Sequence, residues 1–152
     1  MKVKQKAAKT TPAVKKRYEG FTDQERGAMQ DRVQEMKVGA DKADGESALQ
    51  AKLAEMTESD RALGKKLHAV IKATAPSLSP TTWYGMPAYT KDGTLICHFV
   101  PAQKFKTRYA TLGFSDKARL DEGDMWPNAY ALTKLTPAVE AQIAALLKKA
   151  IS

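Results

Sequence analysis

The chain has 152 residues, and 43% of them are hydrophobic, which is enough for one domain with a buried core. No apolar stretch approaches the roughly 18 residues that a membrane span needs, and no apolar segment like that of a secretory signal follows the basic N-terminus. With Cys97 as its single cysteine, the sequence predicts a cytoplasmic protein without disulfides.

The net charge of +8 is concentrated at the N-terminus. Residues 1–17 contain seven Lys and Arg and no acid, so the rest of the chain carries only +1. We expect residues 1–19 to be a disordered basic tail. Weak, salt-sensitive binding of nucleic acid through residues 1–17 is one alternative function for this protein.

Residues 20–45 are predicted to form an N-terminal helix followed by a polar linker. Thr22, with Glu25 three residues later, is the pattern of a capping box. An apolar stripe follows at helical spacing, made of Met29, Val33 and Met36. The linker is expected over residues 39–45.

Residues 46–152 are predicted to form the folded domain. Leu49, Leu53 and Met56 indicate one helix, and a broad apolar stripe ending before Pro76 indicates a second. The pattern then changes to strands, expected at residues 82–89, 94–100, 106–114 and 129–135. The first of these contains Gly85 and Pro87 and is expected to be a bulged or edge strand. A short helix over residues 115–120 and a C-terminal helix opened by Pro137 complete the prediction.

This order predicts an α+β fold: a two-layer sandwich with an antiparallel sheet of about four to five strands, helices on one face, and an extra N-terminal helix. The Asp92-Gly93 dipeptide predicts a hairpin turn between two of the strands.

No sequence motif of an enzyme is visible: the chain has no phosphate-binding glycine loop, nucleophile elbow or zinc-protease helix. His68 and His98 are interpreted as structural, and Cys97 as a buried core residue. We therefore expect a binding protein rather than an enzyme, without a cofactor.

Two segments suggest a pocket for a small anionic molecule. If residues 104–108 are extended, Lys104, Lys106 and Arg108 lie on one face of a strand and form a basic rim. The walls of the pocket are predicted to be Trp83, Tyr84, Met86 and Tyr89. The alternatives are an edge strand protected by its lysines and aromatic residues that only fill the core.

An acidic loop offers a second candidate site. Asp121, Glu122 and Asp124 supply oxygen ligands suited to a hard cation, although a solvated loop is the alternative interpretation.

The run Trp83-Tyr84-Gly85-Met86-Pro87-Ala88-Tyr89, together with residues 101–114, resembles the YdhG-like bacterial domains of unknown function. The resemblance covers roughly residues 46–150 and implies helices packed on an antiparallel sheet. Some members of that family have been described as frataxin-like iron chaperones. The resemblance therefore implies iron as an alternative ligand.

Overall fold

The computed structural model of the protein describes residues 21–38 and 42–152, so the predicted basic tail lies outside the described residues. Within them the chain forms four helices and five strands. In chain order these are α1 Asp23–Val38, α2 Lys42–Glu55, α3 Glu58–Thr74, β1 Ser79–Trp83, β2 Met86–Lys91, β3 Thr94–Val100, β4 Ala110–Phe114, β5 Ala129–Leu132 and α4 Pro137–Ala150.

The five strands form one antiparallel sheet in which each strand pairs with the next along the chain. Cys97 pairs with Tyr89 on one side and with Phe114 on the other, so these three side chains share a face. All three are buried, in one cluster with apolar residues of α2, α3 and α4. The predicted α+β sandwich, with helices on one face of the sheet, is confirmed.

Two of the helix starts follow the sequence pattern. The hydroxyl of Thr22 accepts a hydrogen bond from Glu25 N–H at 3.1 Å, and the hydroxyl of Thr136 accepts one from Val139 N–H at 3.3 Å. Pro137 lies in the first turn of α4, as predicted. No helix in residues 21–38 and 42–152 combines the length and apolar character needed to cross a membrane.

The opposite face of the sheet holds His98 against Gly113, its neighbour on β4. A Cβ atom on Gly113 would lie 2.6 Å from the imidazole Cε1 of His98. Trp83 packs beside the same imidazole, with ring centroids 4.8 Å apart. The absence of a side chain at Gly113 therefore lets His98 lie flat on the sheet.

Three predicted elements have different bounds. The linker was expected to extend over residues 39–45, but its predicted end is wrong, because α2 already begins at Lys42. The last strand ends at Leu132 rather than at residue 135. Residues 115–120 form turns instead of a helix, where the hydroxyl of Ser115 accepts a hydrogen bond from Lys117 N–H at 3.1 Å.

Two further differences change the candidate site. Residues 82–89 are not one bulged strand: β1 ends at Trp83, a turn follows, and β2 begins at Met86. The predicted strand 106–114 begins only at Ala110, because residues 101–109 form a loop between β3 and β4. The Asp92-Gly93 turn between β2 and β3 is confirmed, with φ of 51° and 79°.

Candidate functional site

The connection between β1 and β2 is a two-residue hairpin turn formed by Tyr84 and Gly85. Trp83 pairs with Met86 across it, and Tyr84 and Gly85 have φ of 52° and 75°. Positive φ at both central residues is typical of a type I′ turn. Because this conformation is costly for a bulky residue such as tyrosine, contacts around the turn must stabilise it.

The carboxylate of Glu35, on α1, accepts hydrogen bonds from both residues of this turn. Tyr84 N–H donates to Oε1 at 2.9 Å, and Gly85 N–H donates to Oε2 at 3.1 Å. The Glu35 side chain is only 12% exposed. Hydrogen bonds to an ionised acceptor are stronger than neutral ones, and successive amides of a turn form a concave receptor for anions. The turn is thus a receptor for a carboxylate, and the chain itself supplies that carboxylate.

A second carboxylate and two lysines lie beside this pair of hydrogen bonds. A Cβ atom on Gly85 would collide with the Asp31 carboxylate and would lie 3.0 Å from Lys104 Nζ. Lys52 Nζ is 3.2 Å from Asp31 Oδ2. Burial alone would lower the pKa of Lys52, but its hydrogen bond and charge interaction with Asp31 outweigh burial and raise the pKa. Lys52 is therefore a cation next to an acidic group of α1.

A separate carboxylate holds the loop that carries Lys104. Asp60, on α3, is 4% exposed and accepts hydrogen bonds from Ala102 N–H at 3.2 Å and Gln103 N–H at 2.9 Å. The ammonium group of Lys104 is 3.5 Å from the carbonyl oxygen of Gly85. Asp60 thus fixes the start of the β3–β4 loop, and Lys104 follows one residue later, next to the hairpin turn.

Aromatic rings flank the turn on the side of the sheet away from the core. Trp83 contacts Tyr84 edge to face, with ring centroids 4.9 Å apart. The guanidinium carbon of Arg32 is 5.8 Å from the centroid of the Tyr84 ring. These contacts surround Tyr84 in its unfavourable backbone conformation, although the residue remains 36% exposed.

Two clefts lie where α1 meets the rest of the domain. One, of about 310 Å³, includes Lys52, Gly85 and Lys104 in its lining. The other, of about 350 Å³, lies between α1, α2 and β1 and includes Asp31, Glu35 and Thr81. The acidic face of α1 therefore borders space large enough for a small molecule.

The predicted wall and rim residues do not all meet at this place. Trp83, Tyr84 and Lys104 lie together at the turn, as the pocket hypothesis requires. Met86 is buried at the start of β2, next to Trp83 on the same face of the hairpin. Tyr89 lies on the core face, where its hydroxyl group is hydrogen bonded to His68, and so it cannot form a wall of this site.

The other two predicted cations are not part of a basic strand. Lys106 and Arg108 lie in the exposed loop before β4. Lys106 has a φ of 55°, which breaks the alternation expected of a strand, and Arg108 packs over the Tyr109 ring at 5.2 Å. The prediction of three cations on one strand face is wrong, and only Lys104 reaches the turn.

The acidic loop is not arranged as a metal site. Asp121, Glu122 and Asp124 are exposed, and the Glu122 carboxylate instead lies 3.2 Å from Lys149 Nζ on α4. Over residues 21–38 and 42–152, no group of three or more His, Cys, Asp or Glu side chains is placed to hold a metal ion. This geometry gives no support to the predicted cation site.

Sequence reasoning missed Asp31, Glu35 and Lys52. Glu35 lies 49 residues before Tyr84 in the chain, so no local pattern connects them. The Tyr84-Gly85 dipeptide between two β-prone segments was the available signal for a turn. Gly85 and Pro87 were instead interpreted as interruptions of one bulged or edge strand.

Comparisons with known proteins give no relative for this chain: no family model matches it, and neither the curated proteins nor the solved structures include a match. The resemblance to YdhG-like domains stays a prediction from residues 83–89 and 101–114.

Proposed function

We propose that this domain binds a small dicarboxylate at the Tyr84–Gly85 turn, and that α1 covers the site when no ligand is bound. The observation that carries the proposal is the pair of amide hydrogen bonds to Glu35. The two amides that hold the Glu35 carboxylate have the geometry to hold a carboxylate of a ligand in its place.

The positions of Asp31 and Glu35 support a ligand with two acidic groups. Side chains four residues apart on a helix are neighbours, about 5–6 Å apart at Cβ. The two amides face one carboxylate and Lys52 faces the other. A short dicarboxylate such as glutarate carries two such groups at a comparable spacing, and Lys104 lies beside the turn, with Nζ 3.5 Å from the carbonyl oxygen of Gly85.

The arrangement favours binding over catalysis. Backbone amides and lysine ammonium groups hold and orient an anion, and the carboxylates next to them already accept hydrogen bonds. The recognition would therefore rest on Tyr84, Gly85, Lys52 and Lys104, with Trp83 as an aromatic wall.

The test is a titration of the full chain with glutarate, in which the amide NMR signals of Tyr84 and Gly85 are the readout. In the Glu35→Ala variant we expect saturable shifts of both signals. In the unchanged protein the apparent affinity should be at least about tenfold weaker, since a tethered carboxylate competes at a high effective concentration.

Glu25→Ala is the matched control, because Glu25 is an exposed acid on the same helix. It should behave like the unchanged protein. Lys104→Ala in the Glu35→Ala background should weaken glutarate binding. Absence of any shift in Glu35→Ala at millimolar glutarate would refute the proposal.

A further inference from the structure

An ion pair of α2 borders the cleft beside the Tyr84–Gly85 turn. Lys52 Nζ lies 3.4 Å from Glu55 Oε2, and the two residues are one turn apart on the helix. Both line the cleft of about 310 Å³ that also includes Gly85 and Lys104 in its lining. A positive and a negative group therefore lie side by side on the α2 wall of this cleft.

One oxygen atom of α1 shows where this ion pair lies relative to the turn. Asp31 Oδ2 is 3.2 Å from Lys52 Nζ, and the same atom would collide with a Cβ atom on Gly85. In the proposed function a carboxylate of the ligand takes the place of Asp31, between Gly85 and Lys52. Glu55 belongs to α2 rather than to α1, so it stays beside Lys52 when α1 opens.

Asp60 also lines this cleft, but its carboxylate is already occupied. Its two oxygens accept hydrogen bonds from the backbone amides of Ala102 and Gln103, and the residue is buried. The Glu55 side chain is 64% exposed, and its contact with Lys52 lies at the surface. Of these two acids, Glu55 is therefore the one with room to accept a hydrogen bond from a ligand.

We infer that the ligand of the turn site is an acidic α-amino acid, a dicarboxylate that also carries an ammonium group; this inference rests on the proposed function. Its side-chain carboxylate takes the place of Glu35 at the turn amides. Its α-carboxylate lies at Lys52, and its α-ammonium group donates to Glu55. The adjacent opposite charges of the amino acid thus face an adjacent pair of opposite charges on α2, which is electrostatic complementarity.

Glutamate and glutarate form a matched pair of ligands for this inference. Glutamate is glutarate with an ammonium group on the carbon next to one carboxylate, so both carboxylates and their spacing are the same. The ammonium group removes one net negative charge and weakens the attraction to Lys52 and Lys104. If the ammonium group had no acceptor in the site, glutarate would bind more tightly. A preference for glutamate therefore requires an acceptor such as Glu55.

The test compares L-glutamate with glutarate in the Glu35→Ala variant of the full chain, with the amide NMR signals of Tyr84 and Gly85 as the readout. We expect glutamate to bind more tightly than glutarate. Adding Glu55→Gln should lower the ratio of glutamate affinity to glutarate affinity about two- to fivefold, as expected for an ion pair that stays partly exposed to water. Glu58→Gln is the matched control, because Glu58 is an exposed acid at the start of α3. It should leave the ratio nearly unchanged.

The outcomes separate this inference from the proposed function. If glutarate binds to Glu35→Ala but glutamate binds no more tightly, the inference is overturned and the proposed function stands. The inference is also overturned if Glu55→Gln changes the affinity ratio no more than Glu58→Gln does. If neither ligand shifts the two amide signals at millimolar concentration, the inference and the proposed function fail together.

Discussion

His98 shows how one small residue determines the environment of a neighbouring side chain. Its imidazole lies on Gly113 and against Trp83, on the face of the sheet away from the helices. Within the described part of the chain, its Nδ1 atom is buried and has no hydrogen-bond partner. Burial lowers the pKa of His98, because the charged imidazolium would lose its hydration without gaining a hydrogen bond.

This lowered pKa predicts that acid destabilises the fold. Above the unfolded-state pKa of about 6.5, His98 is neutral in both states and its contribution to stability is complete. As the pH falls below that value the unfolded chain takes up a proton first, so the free energy of unfolding decreases. Urea unfolding at pH 7.5 and 5.5 measures this decrease.

His98→Gln is the matched variant for this experiment, because it has no titrating group and leaves His68 unchanged. It should lose less stability than the unchanged protein over the same pH interval. An equal loss in both proteins would show that His98 does not titrate abnormally.

At the scale of the elements, α1 differs from the other helices in how it is attached. Among residues 21–35, only Ala28 is buried, while the apolar residues Phe21, Met29 and Val33 are 41–51% exposed. The Glu35 carboxylate and the Asp31–Lys52 ion pair hold this helix in place. The apolar stripe that identified the helix in the sequence is therefore not the face that packs on the domain.

This mode of attachment predicts that α1 opens far more often than α3. Backbone amides of α1 should exchange with solvent faster than those of α3, which buries Leu67 and Ile71 completely. Glu35→Ala should accelerate exchange in α1 by a further factor of about ten or more, because hydrogen bonds to a charged group contribute about 1.5–3 kcal/mol. Hydrogen exchange followed by mass spectrometry measures both effects.

Glu25→Ala serves as the control on the same helix and should leave the exchange rates of α1 nearly unchanged. If α1 and α3 exchanged equally slowly, α1 would be an integral part of the core, and the proposed opening of the turn site would be wrong.

The elements also show which features the sequence could predict. Leu67 and Ile71 lie on one apolar stripe that predicts α3, and the Asp92-Gly93 dipeptide predicts the turn between β2 and β3. Local patterns were sufficient for both features. The turn at Tyr84 was missed because Gly85 and Pro87 are equally compatible with a bulged or edge strand, and a tyrosine at positive φ gives no local signal. The start of β4 was misplaced because the apolar and basic alternation of residues 104–109 is equally compatible with a loop tied to Asp60.

The charge of the whole molecule leads to the last prediction, which concerns weak binding of nucleic acid. Residues 1–17 carry seven positive charges and the remaining chain only +1. We expect the full chain to bind a fluorescent single-stranded oligonucleotide with a salt dependence no steeper than about −5 in log K against log salt, because each phosphate contact contributes about −0.7. Replacing the seven Lys and Arg of residues 1–17 by Gln should abolish this binding in a fluorescence anisotropy titration. The control variant replaces Lys106 and Arg108, both exposed in the β3–β4 loop, by Gln. This variant should still bind the oligonucleotide. Binding that survives in the first variant and disappears in the second would place the nucleic-acid contact on the folded domain instead.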